Sequence, residues 1–409
     1  MQDDLFLNND EIKEKPTNPC LAPLTSLYVT NNHQFKPCCW FRKEEDPMHV
    51  EYHKSPLKTP ISDYREKILF PMYEEMKKGN WSKGCRRCML PGKKRLETYE
   101  HHRTEHGIDN LEKNKKILQL DLRFSILCNL GCIMCNAGSS DQFWKHEEQG
   151  KFMMESNYWY GKRTKPQKNF VKNKKFKNWT WHEDEDSMQE IIDLLPNLEV
   201  IYMTGGEPSI NPGVHRIMEH CIKHGYNKNI RLEFNTNCTN ANPKFVELLS
   251  QFKTDLMFSI DAYGRLNDII RFPSDFKTLE RNIIKLIEAQ TAGKSYFCPS
   301  IHVYNFFKTH ELVEWMEGFK ERYDNVTDTY YNIIFDPFYM NIANIPEEHF
   351  DKYMQEHGYK LPEKLRNSIL NKKHPHTDKG YDWNKIKDVG KKWFESRKGD
   401  FALTGIPNF

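Results

Sequence analysis

The chain has 409 residues, with 60 Lys and Arg against 57 Asp and Glu, and its net charge of +3 favours neither a polyanion-binding protein nor an acidic disordered one. With 38% apolar and 13% aromatic residues it has the side chains that a core needs, and its length predicts about two or three domains, or one large barrel with an appendage. No apolar run approaches the length of a membrane span, and residues 1–10 are polar, so we expect a cytoplasmic protein without a signal peptide or a membrane partner.

Four cysteines of the N-terminal segment have the spacing of a closed metal site. They are Cys20, Cys38, Cys85 and Cys88. The first two flank a predicted hairpin, with a strand over Thr25–Thr30 and a turn at 31–33, and the last two follow a predicted helix as Cys-x-x-Cys. Clustered cysteines in a cytoplasmic enzyme are metal ligands more often than disulfides. The set predicts an iron–sulfur cluster or a zinc ion, and a site without metal is the third alternative. Cys39 adjoins Cys38, but the hairpin favours Cys38 as the ligand.

Three further cysteines follow a predicted strand over Ile117–Leu127. They are Cys128, Cys132 and Cys135. Three thiolates at spacings of four and three residues can hold one soft-metal centre, and Gly131 allows the tight backbone path that this requires. Zinc sites and electron-transfer clusters usually have four protein ligands, so three leave one metal position open for a substrate or cofactor. The alternatives are a chance spacing or a zinc site completed by a distant histidine.

A basic, aromatic insertion follows at Lys145–Trp181. It has ten Lys or Arg between residues 145 and 177, interleaved with aromatic residues, and it is long for a connection between a strand and a helix. It could be a solvated lid, a contact for a peptide or protein substrate, or a nucleic-acid contact. The acidic run at 183–186 would repel a polyanion and suits the start of a helix, so a nucleic-acid partner is the least favoured.

A second predicted strand, Leu198–Met203, ends in the sequence TGGEP. The two glycines permit close backbone approach to a ligand, and the glutamate offers an acceptor for an ammonium group. Together with the three-cysteine loop, this turn closely resembles the radical S-adenosylmethionine (SAM) superfamily. The resemblance implies that the three cysteines hold a [4Fe-4S] cluster whose open iron binds SAM, and that the turn binds the amino group of SAM. The residues concerned are Gly205, Gly206, Glu207 and Pro208. Met134 stands where the family commonly has an aromatic residue beside the adenine, and a thioether can fill that space.

Strands and helices alternate in the rest of the chain. Predicted strands lie at 230–234, 256–260, 297–303 and 331–335, and predicted helices at 212–223, 243–252, 276–289 and 309–319. With the two earlier strands there are six, as in the α/β fold of the family, a partial (β/α)6 TIM-type barrel. The predicted domains are an N-terminal module at 1–110, the barrel at 111–345 and a helical extension at 346–409.

Polar residues at the ends of these strands are candidates for SAM contacts. The resemblance implies that Ser259 and Asp261 face the ribose or carboxylate of SAM, with loop capping as the alternative. For Asn235, Asn237, Arg271 and Asn305, a contact with the cofactor and a purely structural role remain equally open. Cys238 stands where relatives often have a glycine.

The N-terminal module resembles the auxiliary-cluster half-domain called SPASM or twitch, although it precedes the barrel here. The turn glycine of that family falls at His33, and Asn32 is expected to take the left-handed conformation instead. The resemblance implies an oxidoreductase with a second [4Fe-4S] cluster and a reductant such as flavodoxin or ferredoxin. It would cleave SAM to a 5'-deoxyadenosyl radical and oxidatively modify a peptide or protein. A small metabolite or nucleoside as substrate, and a non-catalytic electron-transfer protein, are the alternatives.

Overall fold

The computed structural model describes residues 18–53, 60–89, 99–136, 138–142, 180–334, 338–373 and 382–407. Apart from residues 180 and 181, the basic insertion predicted at 145–181 lies outside the described residues. Within the described ranges, no helix is both long enough and apolar enough to cross a bilayer.

The elements follow the predicted alternation of strands and helices. The strands are β1 (Ser26–Val29), β2 (Phe35–Lys36), β3 (Gln119–Leu122), β4 (Val200–Met203), β5 (Arg231–Thr236), β6 (Lys253–Phe258), β7 (Ser295–Phe297), β8 (Ser300–Ile301) and β9 (Asn332–Ile333). The α-helices are α1 (Ala22–Thr25), α2 (Pro47–Tyr52), α3 (Ile61–Tyr64), α4 (Phe70–Lys77), α5 (Glu100–His106), α6 (Ile108–Asn114), α7 (Glu185–Leu194), α8 (Pro212–His224), α9 (Pro243–Ser250), α10 (Arg265–Ile270), α11 (Phe276–Glu288), α12 (Thr309–Lys320), α13 (Glu347–His357), α14 (Glu363–Lys373) and α15 (Trp383–Ser396). A π-helical segment, Arg65–Leu69, joins α3 to α4.

Seven of the strands form one sheet in the order β2-β1-β3-β4-β5-β6-β7, and β8 pairs with β9. β1 and β2 form the predicted antiparallel hairpin, whereas β1 with β3, β3 with β4, β6 with β7 and β8 with β9 pair in parallel. The expectation of an α/β fold with a mostly parallel sheet and helices is therefore confirmed.

The chain divides into two compact units. The first comprises residues 1–125, 179–205 and 211–233, and the second comprises residues 126–178, 206–210 and 234–409. β1 to β4 lie in the first unit, β6 to β9 lie in the second, and β5 contributes residues to both. The domain boundaries expected from the sequence, after residues 110 and 345, stay a prediction.

Local sequence signals account for the helix ends. In the first unit, the Asn211 side chain accepts a hydrogen bond from Gly213 N–H at the start of α8, and Gly225 ends this helix in the left-handed conformation. In the second unit, Asp275 caps α11 by accepting from Thr278 N–H. The apolar residues of α11 recur with helical period on one buried face, which is why this segment forms a helix.

Two details differ from the sequence expectations. The left-handed residue of the hairpin turn is His33, with φ of 55°, so the expectation for Asn32 is wrong. The side chain of Asn32 instead accepts a hydrogen bond from the Thr30 hydroxyl at 2.6 Å. The single strand expected over 297–303 is divided into β7 and β8, because Pro299 between them has no N–H to donate to a ladder.

Candidate functional site

The three cysteines of the loop after β3 lie together in the second unit. Cys128 and Cys132 are buried and pack with Leu130, and Met134 and Cys135 pack against the same group. Burial raises the pKa of all three thiols, and that of Cys135 to about 12. Thiols bind metal as thiolates, so a metal centre at this loop would displace their protons.

Hydrogen bonds fix the backbone of this loop. The N–H of Cys128 donates to Asp141 Oδ1 at 2.9 Å. The N–H of Gly131 donates to the Phe272 carbonyl at 2.6 Å, and the N–H of Ile133 donates to the Ile270 carbonyl at 2.8 Å. The backbone is therefore hydrogen-bonded on both sides of Cys132. The loop is thus held from outside itself, which prepares its thiols to converge on one centre.

The turn after β4 requires both of its glycines. Gly205 has φ of 83°, and a Cβ there would lie 3.0 Å from the Arg123 side chain within the first unit. In the second unit Gly206 has φ of 59°, and its Cβ would lie 2.3 Å from the Leu127 carbonyl oxygen. That carbonyl also accepts from Glu207 N–H at 2.8 Å. The turn therefore fits closely against the residue that precedes Cys128.

Glu207 is held by three donors. Its Oε1 accepts from Ser209 N–H at 3.1 Å and from the Thr236 hydroxyl at 2.8 Å, and its Oε2 accepts from Asn237 N–H at 2.6 Å. Burial raises the pKa of Glu207, and these hydrogen bonds act against that increase. Pro208 begins the short 3-10 helix that follows.

Asp261 and Arg271 form a buried ion pair. Arg271 Nη1 donates to Asp261 Oδ2 at 2.6 Å, and the two side chains are 11% and 0% exposed. Asp261 Oδ1 accepts from Ser300 N–H at 2.7 Å, so both carboxylate oxygens have donors within the protein. Burial lowers the pKa of Arg271, but the charges of Cys132 and Asp261 outweigh it and raise that pKa above its usual range. Arg271 is thus a fixed cation beside the cysteine loop.

The asparagines at the strand ends have different surroundings. Asn237 Nδ2 donates to Asn129 Oδ1 at 2.9 Å and lies 3.9 Å from Cys128 Sγ, which brings this residue to the cysteine loop. Asn305 Nδ2 donates to the carbonyls of Asp261 and Ser300 at 2.7 and 2.8 Å. The Asn305 side chain therefore ties the backbone together, as a capping residue does.

Ser259 and Cys238 lie near the end of β5. Ser259 is half-buried, and its N–H donates to the Thr236 carbonyl at 2.9 Å. Cys238 is buried and has φ of 62°, a conformation that glycine adopts more readily. This backbone conformation accords with the glycine that relatives often have at that position.

The four N-terminal cysteines line one pocket of the first unit. They are Cys20, Cys38, Cys85 and Cys88, and apolar side chains complete the wall. Burial raises the pKa of Cys20 to about 12 and also raises that of Cys38 and Cys85, and the charges of the neighbouring cysteines add to the increase in each. Cys39 does not line this pocket, although its charge raises the pKa of the neighbouring Cys38. Four converging thiols in an apolar pocket suit a closed metal centre.

Outside the two cysteine sets, three further side chains among the described residues have possible ligand atoms that all lie within 4.8 Å of one another: Glu105, His106 and Glu199.

The part of the chain that carries the three-cysteine loop and the glycine turn matches one protein-family model. Residues 122–316 match the model of the radical SAM superfamily. The match spans the three-cysteine loop, the glycine turn and β4 to β8. The family is one of enzymes. The curated proteins contain no match to the chain.

Solved structures with low identity also match. Native anSMEcpe with bound AdoMet and the Cp18Cys peptide is 18% identical, with a TM-score of 0.38 over 62% of this chain and 62% of that one. SuiB of Streptococcus suis bound to S-adenosylmethionine is 15% identical, with a TM-score of 0.32 over 72% of this chain and 59% of that one. TYW1 with a lysine-pyruvate adduct is 12% identical, with a TM-score of 0.29 over 59% and 73%. The chain thus spans less than two thirds of the first two structures.

Three residues of the site carry no signal in the sequence. Asp141, which fixes Cys128, follows the last cysteine of the loop at no spacing that a motif prescribes. His302 is fully buried, and its Nδ1 accepts from Tyr304 N–H at 3.2 Å. Arg397 belongs to the C-terminal extension, whose sequence indicates no chemistry. Only the folded chain places these side chains in the second unit close to residues of the cysteine loop or of the Asp261 ion pair.

Proposed function

We propose that this chain is a radical SAM enzyme in which Cys128, Cys132 and Cys135 bind a [4Fe-4S] cluster whose open iron takes SAM. One observation carries the proposal: Cys128 and Cys132 are buried together with Cys135 packed against them, and Glu207 N–H of the glycine turn donates to the carbonyl that directly precedes Cys128. A thiolate set with one position missing is the donor set that an open cluster needs.

The protein's part in this chemistry is to bind and orient. Once reduced by one electron, the cluster with SAM supplies a 5'-deoxyadenosyl radical that takes a hydrogen atom from the substrate. Glu207, oriented by hydrogen bonds from Ser209, Thr236 and Asn237, would accept a hydrogen bond from the ammonium of SAM. Arg271 supplies a cation for its carboxylate, and Asp261 holds that cation in position. Ser259, Asn237 and Met134 are further proposed contacts of the nucleoside.

We further propose that Cys20, Cys38, Cys85 and Cys88 bind a second [4Fe-4S] cluster in a SPASM/twitch-like module, ahead of a partial (β/α)6 barrel. Its support is the apolar pocket that the four cysteines line together. A closed cluster can accept the electron that remains after hydrogen abstraction, which suits oxidative modification. The proposed substrate is accordingly a peptide or protein, and the proposed reductant is flavodoxin or ferredoxin.

The test measures iron, acid-labile sulfide and 5'-deoxyadenosine in protein purified without oxygen. We expect about eight irons per chain, four per cluster, and release of deoxyadenosine after reduction with SAM. Cys128→Ala should abolish that release, whereas Cys221→Ala, which removes a buried thiol on α8, should retain it. Deoxyadenosine formed by Cys128→Ala would refute the proposed role of the loop.

The same measurement tests the N-terminal site. Cys85→Ala together with Cys88→Ala should lower the iron content to about four per chain and leave SAM cleavage in place. An unaltered chain that contains about four irons and one zinc ion would refute the second cluster. A peptide substrate should increase deoxyadenosine release and lose two hydrogens by mass spectrometry, and a nucleoside or metabolite that does so instead would overturn the peptide assignment.

A further inference from the structure

The C-terminal helix α15 contacts residues 269–272, which are hydrogen-bonded to the cysteine loop. Trp393 Nε1 donates to the Ile269 carbonyl at 3.1 Å. Gly399 lies against the same residue so closely that a Cβ there would be 2.7 Å from Ile269 Cδ1. The next carbonyls along this segment, at residues 270 and 272, accept from the N–H groups of residues 133 and 131, on either side of Cys132. Residues 269–272 thus lie between the C-terminal extension and the loop.

Arg397 follows α15 and is fixed by aromatic rings. Arg397 is only 4% exposed. The guanidinium carbon lies 3.6 Å from the ring centroid of Trp393 and 5.3 Å from that of Phe272, and Nη1 donates to the Ser396 hydroxyl. A planar guanidinium stacked on tryptophan is held in one orientation, as a lysine ammonium would not be.

Arg397 lies beside the segment that is hydrogen-bonded to the cysteine loop. Burial lowers the pKa of Arg397 to about 9, and the charge of Cys132 acts in the opposite direction. The guanidinium carbon lies 5.3 Å from the ring centroid of Phe272, whose carbonyl accepts from the Gly131 N–H next to Cys132, and an arginine side chain is a cation at neutral pH. The other guanidinium coupled to Cys132, that of Arg271, is paired with Asp261 at 2.6 Å, which offsets much of its charge.

We propose that Arg397 is a positioning residue of the C-terminal extension whose cation raises the reduction potential of the cluster bound by Cys128, Cys132 and Cys135. This inference rests on the proposed function. Reduction adds one negative charge to the cluster, and a cation fixed in a low-dielectric interior stabilises the more negative state. Groups beyond the ligands tune metal centres in this way.

The test is a potentiometric titration followed by electron paramagnetic resonance, in which the open cluster is the signal that changes on addition of SAM. In Arg397→Gln the equilibrium constant for reduction should fall about tenfold, which for one electron corresponds to about 59 mV in the negative direction. Arg397→Lys keeps the charge and should retain most of the potential. Lys398→Gln removes an exposed charge from the next residue and should leave the potential unchanged.

An Arg397→Gln protein that keeps the unaltered potential would overturn the inference, and so would an Arg397→Lys protein as low in potential as Arg397→Gln. Iron content and circular dichroism identify a variant that has lost its fold, and Arg397→Met, which removes the charge but keeps an apolar side chain against Trp393, is titrated if Arg397→Gln does not fold. Absence of any SAM-responsive cluster in the unaltered chain would instead refute the proposed function. The two failures are therefore distinguishable.

Discussion

Substitution of Gly206 by alanine should disrupt the cysteine loop through the backbone. Gly206 has φ of 59°, and a Cβ there would lie 2.3 Å from the Leu127 carbonyl oxygen and 3.0 Å from its carbon. The left-handed conformation costs a non-glycine residue about 1–2 kcal/mol. The displaced carbonyl would also lose its hydrogen bond from Glu207 N–H, which contributes roughly 0.5–1.5 kcal/mol. Together these give a loss of about 1.5–3.5 kcal/mol in the free energy of unfolding.

Gly225→Ala is a matched control for this substitution. Gly225 has φ of 76°, but nothing lies within 4 Å of its added Cβ, so only the conformational cost of about 1–2 kcal/mol applies. Urea unfolding measures both losses, and iron content with the SAM-induced spectral change measures the site. Gly206→Ala should lose more stability than the control and fail to respond to SAM, because the moved carbonyl adjoins Cys128. A Gly206→Ala protein with control-like stability and a normal SAM response would refute this reasoning.

Two further predictions concern buried charges of the second unit. Burial lowers the pKa of His302 to about 4, so between about pH 6.5 and pH 4 the unfolded chain binds a proton that the folded chain does not. The free energy of unfolding should therefore decrease as the pH falls from 6.5 to 4. Urea unfolding should show His302→Asn to be less pH-dependent than the unaltered chain by about 2 kcal/mol between pH 7.5 and pH 5; an equal pH dependence would contradict this. Asp261→Asn leaves the Arg271 charge without its carboxylate and should destabilise by about 3–5 kcal/mol. Glu185→Gln, in an exposed pair with Arg216, should change little, and equal losses in the two variants would exclude a special role for burial.

Local signals predict the elements well, because they depend on nearby residues. The helix expected at 212–223 is α8 at Pro212–His224, since a capping asparagine and a terminal glycine mark its ends. The cysteine spacing and the glycine turn likewise indicate the residues of the proposed open-cluster site. The parallel pairing of β1 with β3 could not be predicted, because Ser26 and Gln119 meet through the fold and no periodicity links them. The same holds for Arg397, whose proximity to Cys132 depends on how α15 packs.

The position of β1 in the sheet limits how the N-terminal segment can be treated in protein engineering. β1 lies between β2 and β3, with Leu27 opposite Leu120, so the hairpin that separates Cys20 from Cys38 covers one side of β3. A chain shortened to begin at residue 111 would leave β3 with a row of unpaired N–H and C=O groups. We expect such a fragment to self-associate through that edge, as sedimentation velocity would detect. The N-terminal segment therefore cannot be removed without exposing β3, and transfer of its cysteines to another protein would require transfer of β3 as well.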